Sequence, residues 1–202
     1  MYNHAPDHYI CPFCLLIKGI ENKHVLSVQS DIIYHDNVIT AFVGSHQWPH
    51  NHGNVIITPN EHFENIYDLP IHYAVDIHRV VSMIALALKE VYSCDGISTR
   101  QNNEPAGNQD VWHYHLHVTP RYKDDEFYAS QREFMPIDQR ARHAQKLRYY
   151  LAEQSGGMQY LIKTQDEVSS RYGLPPRLQP HTCARCKQVL PKISQRKQNS
   201  GP

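Results

Sequence analysis

The sequence predicts an α+β domain with a mainly antiparallel sheet. Three observations support this: several short runs of β-branched and aromatic residues, long segments with helical periodicity, and short connections between them. The order is several strands, a helix, two strands and a second helix, and such a mixed order is typical of α+β proteins. Hydrophobic residues make up 41% of the 202 residues, which is enough for a real core.

The first predicted strands lie in the amino-terminal third of the chain. Residues 25–28, 32–34 and 38–43 are β-branched or aromatic runs, and Asp36-Asn37 is a turn signal between the last two. Residues 54–59 form a further short strand, which follows a polar, histidine-rich loop.

A long helix follows Asp68-Leu69-Pro70, because proline suits the first turn of a helix. Its predicted buried face is one apolar stripe at three- and four-residue spacing: Ala74, Ile77, Val81, Ile84, Ala85, Leu88 and Val91. Asp95-Gly96 ends this helix. Residues 96–101 are the next predicted strand, and residues 102–110 form a loop.

A second helix is expected from Asp138 to Glu153, with its end at Gly156-Gly157. The sequence thus divides into a predicted domain over residues 1–155 and a basic, proline-rich extension over residues 156–202. From Arg171 onward the extension has seven Lys or Arg and no Asp or Glu. We expect it to be partly disordered and mobile, because apolar periodicity is lacking there.

The charge distribution bears on the kind of partner. The net charge is zero, but residues 1–170 contain 13 basic and 20 acidic residues. A mildly acidic body with a basic tail argues against a protein that grips long nucleic acid. We also expect no membrane partner and a cytoplasmic location, because the sequence has no 18-residue apolar run and no secretion signal.

The cysteines form two C-x-x-C pairs and one single residue: Cys11 with Cys14, Cys183 with Cys186, and Cys94. Without an export signal, such pairs favour metal or redox chemistry over structural disulfides. The first pair offers two thiolates at the usual zinc spacing. The second pair fits half of a zinc site completed across a dimer, a redox pair, or no specific role.

Three histidines stand two residues apart in the segment from His113 to Arg121. In a strand, their imidazoles share one face, and Tyr114, Leu116 and Val118 take the other. Imidazoles provide nucleophiles, proton donors and metal ligands near neutral pH. The middle one, His115, is the natural nucleophile, provided that its other ring nitrogen is held by a hydrogen bond. The alternative is a row of surface or metal-bound histidines without catalysis.

This pattern resembles the histidine-triad (HIT) superfamily of nucleotide hydrolases and transferases. Three further segments match motifs of that family in the same order: Cys11–Gly19, Gly53–His62 and Asn103–Trp112. Glutamine replaces the third histidine in the uridylyltransferase branch, so His117 favours the Fhit-like and other hydrolase branches. The resemblance implies a HIT-like fold with a sheet of five or more strands, two main helices and a homodimer.

The resemblance also implies a mechanism. His115 would attack the α-phosphate of a purine nucleotide, either a phosphoramidate or a dinucleoside polyphosphate. The resulting nucleotidyl-histidine would then be hydrolysed or would pass the nucleotide to another acceptor. His117 would act at the phosphate as a hydrogen-bond donor, and His113 completes the catalytic triad.

Further residues are assigned by the same resemblance. Phosphate and ribose would be held by Asn103, Gln109 and the backbone at Asp110 and Val111. Three apolar residues would line the base pocket, although they suit the core equally well: Phe13, Leu16 and Phe42.

Several bacterial members of the superfamily bind structural zinc, and the resemblance extends to that site. The ligands here would be Cys11, Cys14, His62 and His113. Two cysteines and two histidines make a closed tetrahedral site, which is structural and not catalytic. The alternative is a thiol pair without metal, and a redox pair is a weaker interpretation because no βαβ unit follows Cys14.

Two departures from the family pattern leave a second hypothesis open. Gly44, Ser45 and His46 stand where many members have an acidic or amide residue for the ribose, and Asn54 replaces a histidine. These departures favour a non-catalytic nucleotide-binding or adaptor module with a structural zinc. A third hypothesis, nucleic-acid end processing, requires zinc ligands that the carboxy-terminal extension lacks.

Overall fold

A five-stranded antiparallel sheet forms the centre of the protein in a computed structural model, which describes residues 2–172 and the side chains of residues 2–154. The strands are β1 Ile32–His35, β2 Ile39–Val43, β3 His46–Gln47, β4 Val55–Pro59, β5 Gly96–Gln101, β6 Leu116–Arg121 and β7 Glu133–Phe134. The sheet order is β1-β2-β4-β6-β5, and β3 pairs separately with β7. The predicted α+β class is therefore confirmed.

In the described part of the chain, three α-helices accompany the sheet: α1 Pro12–Ile17, α2 Ile71–Tyr92 and α3 Ile137–Tyr172. Helix α2 begins directly after Pro70, as the sequence predicts. Its apolar face packs on the sheet together with α3 and forms the main core. A smaller apolar cluster lies around α1 and includes Phe13, Leu16, Phe42 and Ile56.

Helix α2 is also long and apolar enough to meet a length-and-composition criterion for a membrane span, and half of the qualifying window is buried inside the protein. The core helix of a soluble protein meets the same criterion. The apolar face of α2 packs against β4 and β6 in the main core.

Two of the predicted strands are placed differently in the structure. Residues 25–28 form a loop, whose carbonyl at Leu26 accepts a hydrogen bond from Arg140 and not from a neighbouring strand. The triad segment enters the sheet only at Leu116, because the N–H of Tyr114 donates to the carbonyl of Phe63. Tertiary hydrogen bonds have replaced sheet pairing in both segments.

The predicted end of the second helix at Gly156-Gly157 is wrong, because α3 continues to Tyr172. A glycine inside a helix costs about 1 kcal/mol relative to alanine, which weakens a helix without forbidding it. The predicted boundary between residues 155 and 156 therefore falls inside α3, and the two-domain division stays a prediction. The expectations for residues 173–202, including Cys183 and Cys186, lie outside the described residues.

A buried ion pair joins α3 to the start of the sheet. The guanidinium of Arg140 donates from Nε to Asp31 Oδ2 at 3.0 Å, and both side chains are fully buried. It also donates to the carbonyls of Met135 and Leu26. Burial raises the pKa of the Asp31 carboxyl, and hydrogen bonds from the Val28 N–H and from Arg140 oppose this rise. The loop after α1 thus depends on one arginine more than a hundred positions away in the chain.

The substitution Arg140→Met should lower the free energy of unfolding by about 3–5 kcal/mol, because it leaves a buried carboxylate without its partner. Urea denaturation measures this change. The matched control is Arg142→Met, which removes an exposed pair with Asp138 on the same helix and should cost no more than about 0.5 kcal/mol. Equal effects of the two substitutions would contradict the structural role of the buried pair.

Candidate active site and metal cluster

The three triad histidines lie at the junction of β4 and β6, on the sheet face opposite the main core. All three are buried, and the rings of His115 and His117 are 5.2 Å apart. Tyr114 and Val118 point the other way and belong to the main core. The expected alternation therefore holds although the first half of the segment is not a strand.

The ring of His115 is held in one orientation. Its Nδ1–H donates to the carbonyl of His113 at 2.7 Å, within the same chain segment. This bond leaves the lone pair of Nε2 for a ligand. Burial lowers the pKa of His115, so the neutral imidazole is favoured at neutral pH. His115 is thus a neutral nitrogen base with a fixed tautomer.

The ring of His117 is held by an amide. Its Nδ1 lies 3.3 Å from Asn54 Oδ1, which also accepts the hydroxyl proton of Thr119 at 3.0 Å. Burial lowers the pKa of His117 well below its usual value, and the neighbouring His115, Arg132 and Arg100 lower it further. Neutral His117 then carries its proton on Nδ1, so Nε2 donates a hydrogen bond only when the ring is charged.

A cavity of about 280 Å³ opens beside His115 and His117. Its apolar wall is formed by α1, by the loop that the Arg140 ion pair holds and by β4: Pro12, Phe13, Val25, Leu26 and Ile56. Of the three residues predicted for the base pocket, Phe13 lines this cavity, whereas Leu16 and Phe42 are fully buried in the smaller apolar cluster. Ser45 and His46, at the family's ribose position, also reach the cavity.

The expected phosphate-binding residues are placed in two different ways. Asp110 and Val111 line the cavity next to His115. Asn103 and Gln109 do not line it, because their amides are used inside the protein. Gln109 Nε2 donates to the carbonyls of Glu64 and Val111, and its Oε1 accepts from the N–H of Glu104. In this structure the two amides shape the loop before the triad.

Four potential metal ligands meet beneath the triad: Cys11, Cys14, His62 and His113, with all four ligand atoms within 4.8 Å of one another. His113 Nδ1 lies 3.3 Å from the sulfur of Cys11 and 3.6 Å from that of Cys14. These separations match the edge of about 3.5 Å expected between sulfur and nitrogen ligands of tetrahedral zinc. His113 also donates from Nε2 to the carbonyl of Pro59 at 3.0 Å, a bond typical of a metal-bound imidazole.

Burial lowers the pKa of His113 to about 4, which keeps its ring neutral. Metal ligation requires a neutral imidazole. The four residues thus have the spacing and the donor types of a closed metal site, His113 has the protonation state that ligation requires, and the sequence had selected all four.

Several residues of the site were not selected from the sequence. Arg132 lines the cavity and forms an ion pair with Asp110 at 3.0 Å. Trp48 lies against His117 with ring centroids 6.4 Å apart. Asn54 was noted only as a departure from the family pattern. None of the three lies in the triad segment, although a tryptophan in a histidine-rich loop was an available signal.

Replacement of Asn54 by aspartate tests the hydrogen bond that holds His117. Asn54→Asp keeps the shape and the acceptor for Thr119 but places a negative charge beside Nδ1 of His117. A neighbouring opposite charge favours the imidazolium, so the pKa of His117 should rise by about 1–3 units. NMR titration of the histidine ring signals measures the change.

The matched control is Asn37→Asp, which adds the same charge at an exposed position in the turn between β1 and β2. This control substitution should leave the pKa of His117 the same as in the wild type. An unchanged titration in Asn54→Asp would show that the amide does not contact the ring in solution.

Comparisons with known proteins agree with this geometry. The model of the HIT domain matches residues 25–124. Protein hit of Bacillus subtilis is 32% identical over 120 residues, which span 59% of this chain and 77% of that protein. Purine nucleoside phosphoramidase of Escherichia coli is 28% identical over 92 residues, or 45% of this chain and 76% of that enzyme.

A solved structure adds evidence from the fold. The crystal structure of a Zn-bound histidine triad family protein from Mycobacterium smegmatis matches this protein with a TM-score of 0.59 and 26% identity. The match covers 73% of this chain and 96% of the Mycobacterium smegmatis chain. The sheet, the triad and the sequence matches lead to one conclusion: the chain belongs to the histidine-triad (HIT) family.

Proposed function

We propose that the protein is a nucleotide phosphohydrolase or nucleotidyltransferase that attacks the α-phosphate of a purine nucleotide. The observation that carries this proposal is the hydrogen bond from His115 Nδ1 to the His113 carbonyl, which directs an unprotonated Nε2 to the ligand. A neutral, oriented imidazole beside a cavity is suited to nucleophilic catalysis. The name of the Escherichia coli relative, a purine nucleoside phosphoramidase, supports the same class of reaction.

The reaction would proceed in two steps. Nε2 of His115 forms a bond to the α-phosphorus, and the bond from phosphorus to the leaving group breaks with its electron pair on the leaving atom. The ring keeps its proton on Nδ1 and becomes positively charged, and the His113 carbonyl stabilises that charge. Water then attacks phosphorus and loses a proton, the bond to Nε2 breaks, and the electron pair returns to the ring.

His117 would act on the phosphoryl oxygens or on the leaving group. Its Nδ1 is occupied by Asn54, so only Nε2 is available to the substrate. An anionic phosphate nearby raises the pKa of an imidazole and favours the charged form, which donates from Nε2. His117 therefore fits the role of a donor that becomes charged when the nucleotide binds.

For the metal cluster we propose structural zinc. When bound, zinc would stabilise the fold by linking its ligands and would take no part in the reaction, because four protein ligands leave no open position. Cys11 and Cys14 begin α1, whereas His113 leads into β6. The cluster would therefore fix α1, which carries Phe13, against the segment that carries the nucleophile.

The homodimer implied by the family resemblance is part of the proposal. Strand β5 is at the edge of the sheet, and an unpaired edge is where a second copy can extend a sheet. The alternative function, nucleotide binding without turnover, is favoured by one observation. The amides of Asn103 and Gln109, which the resemblance assigned to the ligand, are engaged inside the protein.

Replacement of His115 by alanine tests the nucleophile. His115→Ala should abolish the nucleotidyl adduct and lower turnover by roughly a thousand-fold or more, as expected when a covalent nucleophile is removed. Intact-protein mass spectrometry after mixing with adenosine phosphoramidate or diadenosine tetraphosphate detects the adduct. The rate at which AMP is released measures turnover.

The matched control is His72→Ala, an exposed histidine on α2 that should keep full activity. Full activity of His115→Ala would show that the nucleophile is another residue. Tight AMP binding by the wild type without turnover of either substrate would favour the adaptor alternative.

The zinc proposal is tested by metal content. Native mass spectrometry should show one zinc fewer in Cys14→Ala than in the wild type, together with a lower melting temperature. The control is Cys94→Ala, because Cys94 is equally buried but lies outside the cluster. An identical metal content in Cys14→Ala and the wild type would rule out zinc at this cluster.

A further inference from the structure

A second cavity, of about 250 Å³, lies on the β5 side of His117. Its walls include Trp48, Ser98, Arg100, His117 and Thr119. His117 lines both this cavity and the one beside His115. His117 is thus the side chain that the two cavities share.

The register of β5 and β6 places a positive charge at this junction. Arg100 is paired with His117 across the two strands, so both side chains stand on the same face of the sheet. Ser98 and Thr119 form the next pair of the same face. The charge of Arg100 is thus a cross-strand neighbour of His117.

The ring of Trp48 contacts the guanidinium group of Arg100 and also that of a second arginine, Arg132. The guanidinium carbons of Arg100 and Arg132 lie 5.5 and 5.7 Å from the centre of its ring. The ring is itself buried and packs against Phe127 at 4.4 Å, which makes it a fixed surface. The indole therefore holds two guanidinium groups near His117.

The charges of these two arginines are available to a ligand to different degrees. Within residues 2–154, no ion pair involves Arg100, whereas Arg79, Arg121 and Arg140 each pair with an aspartate. Arg132 pairs with Asp110, but both partners are partly exposed, and such a pair is weak. Two cations beside an open cavity are suited to an anion with several phosphate oxygens.

We propose that the second cavity, with Arg100 and Arg132, binds the phosphates of the leaving group, so that the preferred substrates are nucleotides whose α-phosphate carries a further phosphate chain. The inference rests on the proposed attack by His115. In-line displacement puts the leaving group on the side of phosphorus opposite the nucleophile. In the proposed arrangement His117 stands between the reacting phosphorus and the second cavity, because it lines both cavities.

The chemistry of the two candidate substrates differs at this point. In a dinucleoside polyphosphate, the bond from the α-phosphorus to the bridging oxygen breaks, and the electron pair stays on that oxygen as negative charge. The leaving phosphate needs no proton, and two guanidinium groups stabilise the charge as it develops. In a phosphoramidate, nitrogen departs and must take up a proton, so the arginines contribute little.

Two substrates with the same adenylyl group test the proposal. Arg100→Met should lower kcat/KM for diadenosine tetraphosphate by about 10- to 100-fold, the size of a lost charge-assisted contact. For adenosine phosphoramidate, the kcat/KM of Arg100→Met should change by less than about threefold, because the leaving group of this substrate carries no phosphate. Arg100→Lys should recover part of this loss of kcat/KM. Arg142→Met, on the exposed face of α3, should leave kcat/KM unchanged for both substrates.

A binding measurement separates this inference from the proposed function. Isothermal titration with pyrophosphate is made in saturating AMP and at constant ionic strength. The wild type should bind, and Arg100→Met should bind at least about tenfold more weakly. Arginine-dependent binding without turnover of either substrate would support the subsite and reject the hydrolase.

Two results would overturn the inference. One is an equal loss on both substrates, which would mean that the arginines serve the common adenylyl group or the fold. The other is pyrophosphate binding that is absent from the wild type or unaffected by Arg100→Met. Turnover through His115 would stand in both cases.

Discussion

The site depends on how His113 is held. Its carbonyl accepts the Nδ1–H of His115, its Nε2–H donates to the carbonyl of Pro59 on β4, and its Nδ1 faces the sulfurs of Cys11 and Cys14. One residue thus determines the tautomer of His115, the position of the segment relative to the sheet and the position of α1. Because these bonds lie in a buried region, none can be exchanged for water without moving the others.

Burial has a second consequence for the chemistry. A low-dielectric surrounding disfavours charged imidazoles, so the pKa values of all three triad histidines are lowered. For His113 this supports metal ligation, and for His115 it preserves the lone pair that the proposed attack on phosphorus requires. A bound phosphate brings negative charge into the same surrounding, where electrostatic interactions are strong. The residue whose pKa would rise when a phosphate binds is His117, because Asn54 leaves its Nε2 facing the ligand.

Much of the fold was predictable because its signals are local. Strands β2, β4 and β5 have β-branched runs, and α2 has a proline start and an apolar stripe. The sequence failed where a distant group decides the conformation. Residues 25–28 have strand propensity, but their backbone partner is the guanidinium of Arg140, 114 positions away from Leu26. Propensity measures how well a residue suits a strand and not which group will bind its carbonyl.

The candidate site shows the same division. The triad and the first cysteine pair are motifs with fixed spacing, so the sequence revealed them. Asn54 directly precedes β4 and Arg100 lies on β5, and only the register of the sheet brings them to His117. That register gives His117 an amide behind it and a cavity on either side. An anion in either cavity favours the charged ring, whereas the arginines favour the neutral one. The protonation of His117 would therefore follow the occupancy of the site, and the departure of anionic products in the proposed reaction would restore the neutral form.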